Sequence, residues 1–173
     1  MTFPWAAAPQ EPTRTLSEAD FAVPPDDRYF EDYKEGAVYE YGYATVDETE
    51  LVAFARRFDP QLMHVDAQWA ATGPFGGLIA SGWHTGGIFM RLFADHYLSR
   101  VASLASPGLD ELRWSAPARP GDVLRLRVTT EQTRLSRSKP DRGLVHTYSE
   151  LINGDDTVVL SVRAANFIGR RPA

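Results

Sequence analysis

From Val38 to Val46 the chain alternates, with Tyr39, Tyr41 and Tyr43 on one side and Val38, Gly42, Ala44 and Val46 on the other, the two-residue period of a strand. The period then changes. Asp47 and Glu50 have the spacing of a capping box, and Leu51, Phe54, Ala55 and Phe58 recur at helical intervals along one face. This predicted helix ends at Asp59, because Pro60 disfavours the α conformation for the residue before it. Across Ala67 to Met90 there is no Asp, Glu, Lys or Arg in 24 residues. Gly73, Pro74, Gly76 and Gly77 break that stretch too early for a membrane span, so it is expected to be buried in protein. A helix is predicted from about Leu78 to Leu98, apolar nearly all round in its first half, and a helix of that kind has to be enclosed.

The carboxy-terminal third supplies the enclosure. Leu109–Ser115 and Leu144–Ile152 read as strands. Leu124, Leu126 and Val128 alternate with Arg125, Arg127 and Thr129, while Val158, Leu160, Val162 and Ala164 alternate with Val159, Ser161, Arg163 and Ala165, which predicts one dry face and one wet one. Asn153-Gly154 is a strong tight-hairpin signal. Strand, helix, long buried helix and then about four antiparallel strands, with no βαβ alternation, make an α+β fold whose sheet wraps one helix.

The chain has 173 residues, enough for one domain. Residues 1–28 hold five of the twelve prolines and little periodicity. They are expected to form a flexible extension, or an arm on a neighbouring subunit, ahead of a single domain over 29–173. A net charge of −5 without a basic block argues against nucleic-acid or anionic-membrane binding. The absence of cysteine removes disulfides, thiolate nucleophiles and Cys-based zinc sites. No charged and apolar signal segment opens the chain, and a cytoplasmic location is expected. No Walker-type loop, GxGxxG or HExxH is present.

Two stretches could carry chemistry. In Phe58-Asp59-Pro60-Gln61-Leu62-Met63-His64-Val65-Asp66 a carboxylate and an imidazole stand five residues apart across a proline turn that can fold them onto one water. The helix dipole and apolar neighbours are expected to raise the Asp59 pKa. An ordinary helix stop and a solvated histidine would look the same. In Gly76-Gly77-Leu78-Ile79-Ala80-Ser81-Gly82-Trp83 the long helix begins, where backbone N–H groups lack internal partners and Gly82 would let a carbonyl oxygen approach. Alternatively, Ser81 is a plain cap and Gly82 a packing residue. His84 reads as a core histidine, His96 as a helix-end residue and His146 as a sheet-face residue. None has metal-ligand company, so no metal is expected.

Together these stretches resemble the hydratase motif of the MaoC-like dehydratases, the (R)-specific enoyl-CoA hydratases of the hot-dog superfamily. The resemblance runs from about Tyr29 to Ile168 and implies a hot-dog fold. It further implies that Asp59 and His64 activate a water, that Gly82 with Ser81 forms the oxyanion and substrate-binding element, and that Asp59 moves the proton between water and the α-carbon. The implied substrate is a trans-2-enoyl-CoA thioester, with coenzyme A as part of the substrate, no separate cofactor, and a homodimer with the acyl tunnel at its seam. Arg119, Arg134, Arg137 and Lys139 are available for coenzyme A phosphates, Arg137-Ser138-Lys139 being favoured. Three positions depart from the family pattern: Gln61-Leu62 in place of Asn-Pro, Ser81 in place of His, and Gly87 in place of a serine, whose hydroxyl Ser81 or Thr85 would have to supply. The alternatives are a catalytically silent acyl-CoA-binding protein and a hot-dog thioesterase. The latter is disfavoured because the long helix has no Asp or Glu before Asp95.

Overall fold

The structure, a computed structural model, describes residues 14–15, 21 and 23–172. Six strands, β1 (Arg14–Thr15), β2 (Val38–Thr45), β3 (Ser103–Trp114), β4 (Val123–Leu135), β5 (Arg142–Ile152) and β6 (Val158–Gly169), form one sheet in the order β1-β2-β4-β5-β6-β3. Every neighbouring pair is antiparallel. The helices are α1 (Glu48–Phe58), α2 (Leu62–Val65), α3 (Ala67–Thr72) and α4 (Gly82–Leu92), the last running into a π turn over Phe93–Tyr97. Ile88, Phe89, Leu92 and Phe93 share one buried cluster with Tyr39 and Tyr41 of β2, Leu124, Leu126 and Val128 of β4, Leu151 of β5, and Leu160 and Val162 of β6. Burying each such side chain contributes roughly 1.5–3 kcal/mol. The expected α+β architecture, a curled sheet around one helix, is the one observed.

Local chemistry sets the element boundaries. The Asp47 carboxylate accepts the Glu50 N–H at 2.8 Å and starts α1, and Pro60 stops it after Phe58. The central helix is shorter than predicted. Ile79 N–H donates to Met63 O and Ala80 N–H to Ala118 O, so residues 79 and 80 are tied to neighbouring segments, and Ser81 then caps α4. The last hairpin also differs. Its connection spans Asn153–Thr157, the Asn153 side chain accepts the Asp155 and Thr157 N–H groups, and the left-handed residue is Asp156 rather than Gly154. β6 is buried on both faces, Val159 and Ser161 included, against the expectation of a wet face. Ser161 stands in register with Glu150 of β5 and Arg113 of β3.

The extension expected over residues 1–28 falls largely outside the described residues, but its final part is packed. Arg28 is buried at 3% exposure and donates to His96 O and Tyr97 O, both at 2.8 Å, at the end of the π turn. Phe21 lies under that guanidinium, 3.6 Å from it, and stacks on Tyr39. The boundary placed at 28/29 therefore cuts through the folded body.

Candidate active site

The site is built by a loop, a helix start and a strand end. After α1, Pro60 turns the chain, and Gln61 O accepts the His64 N–H at 2.9 Å to open the short α2. This brings His64 back towards Asp59. His64 is buried, and its Nδ1 lies 2.8 Å from Ile79 O. A carbonyl can only accept, so Nδ1 carries a hydrogen, and Nε2 is the ring nitrogen that can take up or release a proton. That Nε2 stands 3.5 Å from Asp59 Oδ2.

Asp59 is held from two sides. Gln61 Nε2 donates to Oδ1 at 2.7 Å, and Ser81 Oγ donates to Oδ2 at 2.7 Å. These two neutral donors, Gln61 first and Ser81 second, keep the carboxyl below the usual carboxylate range, with a smaller contribution from the nearby imidazole. The expectation of a raised pKa is corrected here. The helix end and the apolar neighbours count for less than two direct hydrogen bonds to the ionised form.

Ser81 does two things at once. While its hydroxyl hydrogen goes to Asp59, its oxygen accepts the Trp83 N–H at 3.3 Å as the cap of α4. The hydroxyl missing at Gly87 is thus supplied from Ser81. Thr85, the other candidate, donates instead to Ser81 O at 3.3 Å. Gly82 follows as the first helical residue, where α4 offers its N–H no acceptor. Its lack of a side chain has a packing reason as well: a Cβ there would come within 2.6 Å of the Trp114 indole, whose Nε1 donates to Gly82 O at 2.8 Å. Trp114 closes the wall with Trp83 set edge-on, ring centroids 5.3 Å apart.

Asp59, His64 and Gly82 line one cavity of about 450 Å³ together with Gln61, Met63, Phe75, Ile79, Ala80, Trp83, Thr85 and the stretch from Trp114 to Ala118. All four residues singled out from the sequence meet at this place: Ser81 stands directly behind the three that line the space. Gln61 and Trp114 were missed. Gln61 appeared only as a departure from a motif, and Trp114 is 32 positions from the glycine it covers, beyond any local pattern.

Of the cations considered for phosphates, Arg119 lies beside the site, donating to Phe75 O at 2.8 Å. Arg134 and Arg137 line a separate cavity of about 380 Å³ with Leu144 and Phe167. Residue 135 lies 12 positions along β4 from Val123, roughly 40 Å at ~3.3 Å per residue, so the favoured Arg137-Ser138-Lys139 stands at the far end of the sheet. His84 is buried against Phe54, and His96 is buried and stacked on Tyr41. Among the described residues no group of three or more His, Cys, Asp or Glu is placed to hold a metal ion. Among the same residues no helix is long and apolar enough to cross a membrane.

A solved MaoC-like dehydratase from Rhodospirillum rubrum superposes with a TM-score of 0.78 at 37% identity, covering 84% of this chain and 99% of that one. A Mycobacterium tuberculosis protein described as having a double hotdog fold superposes at 0.72 with 19% identity, over 87% of this chain and 46% of that one, a likeness of fold. In sequence, the 3-hydroxyacyl-thioester dehydratase Z of Mycobacterium tuberculosis is 37% identical over 85 residues, 48% of this chain and 56% of that protein. The chain spans 56 to 63% of the length of the curated relatives it matches first. The model of the MaoC-like domain matches residues 33–150, about two thirds of the chain and nearly all that surrounds the cavity, and the chain is therefore a member of the MaoC-like domain family.

Proposed function

We propose that this protein is a hydratase and dehydratase that adds water reversibly to a trans-2-enoyl-CoA thioester, giving a 3-hydroxyacyl-CoA. One observation carries the reading: Asp59, buried His64 and Gly82 line a single cavity of about 450 Å³, with the His64 Nε2 3.5 Å from the Asp59 carboxylate. In hydration, the water oxygen bonds to the β-carbon and gives up one proton to the Asp59/His64 pair. The C=C electrons move onto the thioester oxygen, which Gly82 N–H receives. The enolate collapses as the α-carbon takes the proton, so one water has been added and every group is restored. A backbone donor of this kind is worth about 3–4 kcal/mol in the transition state.

The same reading includes a homodimer. β3 is the free edge of the sheet, 12 residues long, and carries exposed Leu104, Leu109 and Trp114. An edge of this length invites strand pairing, and Trp114 at its end puts a second copy beside the cavity. The proposed location is the cytoplasm, with which a cysteine-free chain is compatible. A thioesterase reading finds little support, because α4 carries no carboxylate and Asp95, the first beyond it, is paired with Arg91.

The test is to follow the conjugated absorbance of crotonyl-CoA and longer trans-2-enoyl-CoA thioesters. Turnover that falls at least ~100-fold in both Asp59→Asn and His64→Ala is expected of acid–base residues. Binding without turnover at every chain length would replace this reading with that of a silent acyl-CoA binder.

A further inference from the structure

The loop between the two candidate catalytic groups carries a residue whose geometry exceeds what a connection needs. Gln61 engages both partners. Its backbone carbonyl accepts the His64 N–H at 2.9 Å, its own N–H donates to Asp59 O at 2.8 Å, and its side-chain amide donates to Asp59 Oδ1 at 2.7 Å. It also lines the cavity, so bound substrate would shield this last bond from competing water. Ser81 already occupies Oδ2. We propose that Gln61 is a positioning residue which, opposite Ser81, clamps the Asp59 carboxylate so that neither oxygen is free to turn away from the water site and His64 Nε2 is left as the proton-carrying group.

The inference rests on the hydratase reading and sharpens it. With Oδ1 and Oδ2 each receiving a strong neutral donor, Asp59 remains the fixed anion. It orients the water and faces the imidazolium that forms when Nε2 takes the water's proton. The same nitrogen then returns that proton to the α-carbon, so no net charge is gained or lost. Misplacing a reacting group by about 1 Å can cost on the order of 100-fold in rate, and a carboxylate released on one side is free to swing by that much.

The experiment uses the full chain, the enoyl-CoA substrate it turns over best, and the variants Gln61→Ala and Gln61→Glu beside Asp59→Asn. Gln61 is exposed, so the fold should survive both changes, which a thermal melt checks. In Gln61→Ala, kcat is expected to fall between about 10- and 100-fold with KM nearly unchanged, the pattern of an interaction needed in the transition state. Gln61→Glu supplies the readout that a merely structural role would not move. The carboxyl it introduces can donate to Asp59 while protonated, as the amide does, but its anion cannot, so two facing carboxyls share one proton. Activity of Gln61→Glu should therefore decline as pH rises and that proton leaves, along a limb absent from the wild type and from Gln61→Ala. The proposal is overturned if Gln61→Ala keeps the wild-type kcat while Asp59→Asn is inactive. It is equally overturned if both Gln61 variants lose activity without the new limb, which would make Gln61 only a loop residue. If Asp59→Asn itself turns over normally, the hydratase reading fails first, and the outcomes stay distinct.

Discussion

The two ends of the central helix obey opposite rules. At the carboxy end, the carbonyls left over by the π turn are sealed within the chain: Arg28 donates to His96 O and Tyr97 O, the Tyr33 hydroxyl adds a second bond to Tyr97 O, and Phe21 lies beneath the guanidinium. At the amino end, Gly82, whose N–H has no acceptor within the helix, lines a cavity, and the nearby rings stand in solvent, Trp83 at 62% and Trp114 at 45% exposure. Every helix leaves such groups unpaired at both ends. Here one end is satisfied by the chain itself, while the other borders the cavity.

The contrast can be broken first at the open end. Asp59→Asn and His64→Ala should each lower kcat/KM by at least ~100-fold; Asp59→Asn should leave the thermal midpoint almost unmoved, whereas His64→Ala, which also strips the donor from the buried Ile79 carbonyl, should lower it, as parallel kinetics and calorimetry would show. Gly82→Ala comes next. It should lose about 100-fold in kcat and also stability, because the added methyl meets the Trp114 indole. Combining it with Trp114→Ala should restore the stability but not the rate, separating packing from access to the oxyanion donor. At the sealed end the effects reverse. Arg28→Met strips charged donors from two buried carbonyls and should cost roughly 3 kcal/mol, lowering the midpoint by roughly 6–12 °C for a domain of this size, with kcat intact.

The smallest effect is on pH dependence. Burial holds the imidazoles of His84 and His96 below the usual histidine range; at His96 the nearby Arg100 and Arg28 charges act in the same direction and Asp95 acts against it. The unfolded chain therefore binds more protons than the folded one just below pH ~6.5. Stability is complete above that value and is lost as pH falls through it towards the folded-state values. In His96→Gln the denaturation midpoint should vary less with pH between about 6.5 and 5. An equally steep dependence in the variant would exclude His96 as a source.

Much of this was legible in the sequence because it is local. A proline directly after Asp59, a histidine soon after that proline, and a charge-free run containing Ser81-Gly82 declare a turn and a buried helix start, and the four candidate residues do meet. What escaped depends on distance or competition. Trp114 reaches Gly82 from another strand. The direction of the Asp59 shift was misjudged because the dipole and hydrophobic neighbours can be read along the chain, whereas the Ser81 donor comes from 22 residues away. Gln61 was visible only as a departure from a motif, yet its amide is the first cause of that shift. The wet face expected for β6 failed because alternation separates two faces but does not say what covers each of them. Arg137 and Lys139 were favoured on charge alone, and charge does not say at which end of a strand a hairpin lies.

Arg28 has a practical consequence. Composition invites trimming the chain at Tyr29, and a protease cutting after Arg28 would produce the same fragment. Such a fragment would retain every group that touches the cavity, yet it would have lost the plug on the helix's far end. Its activity would fade with time and temperature rather than be absent from the start, and an affinity tag fused at that junction would do the same damage.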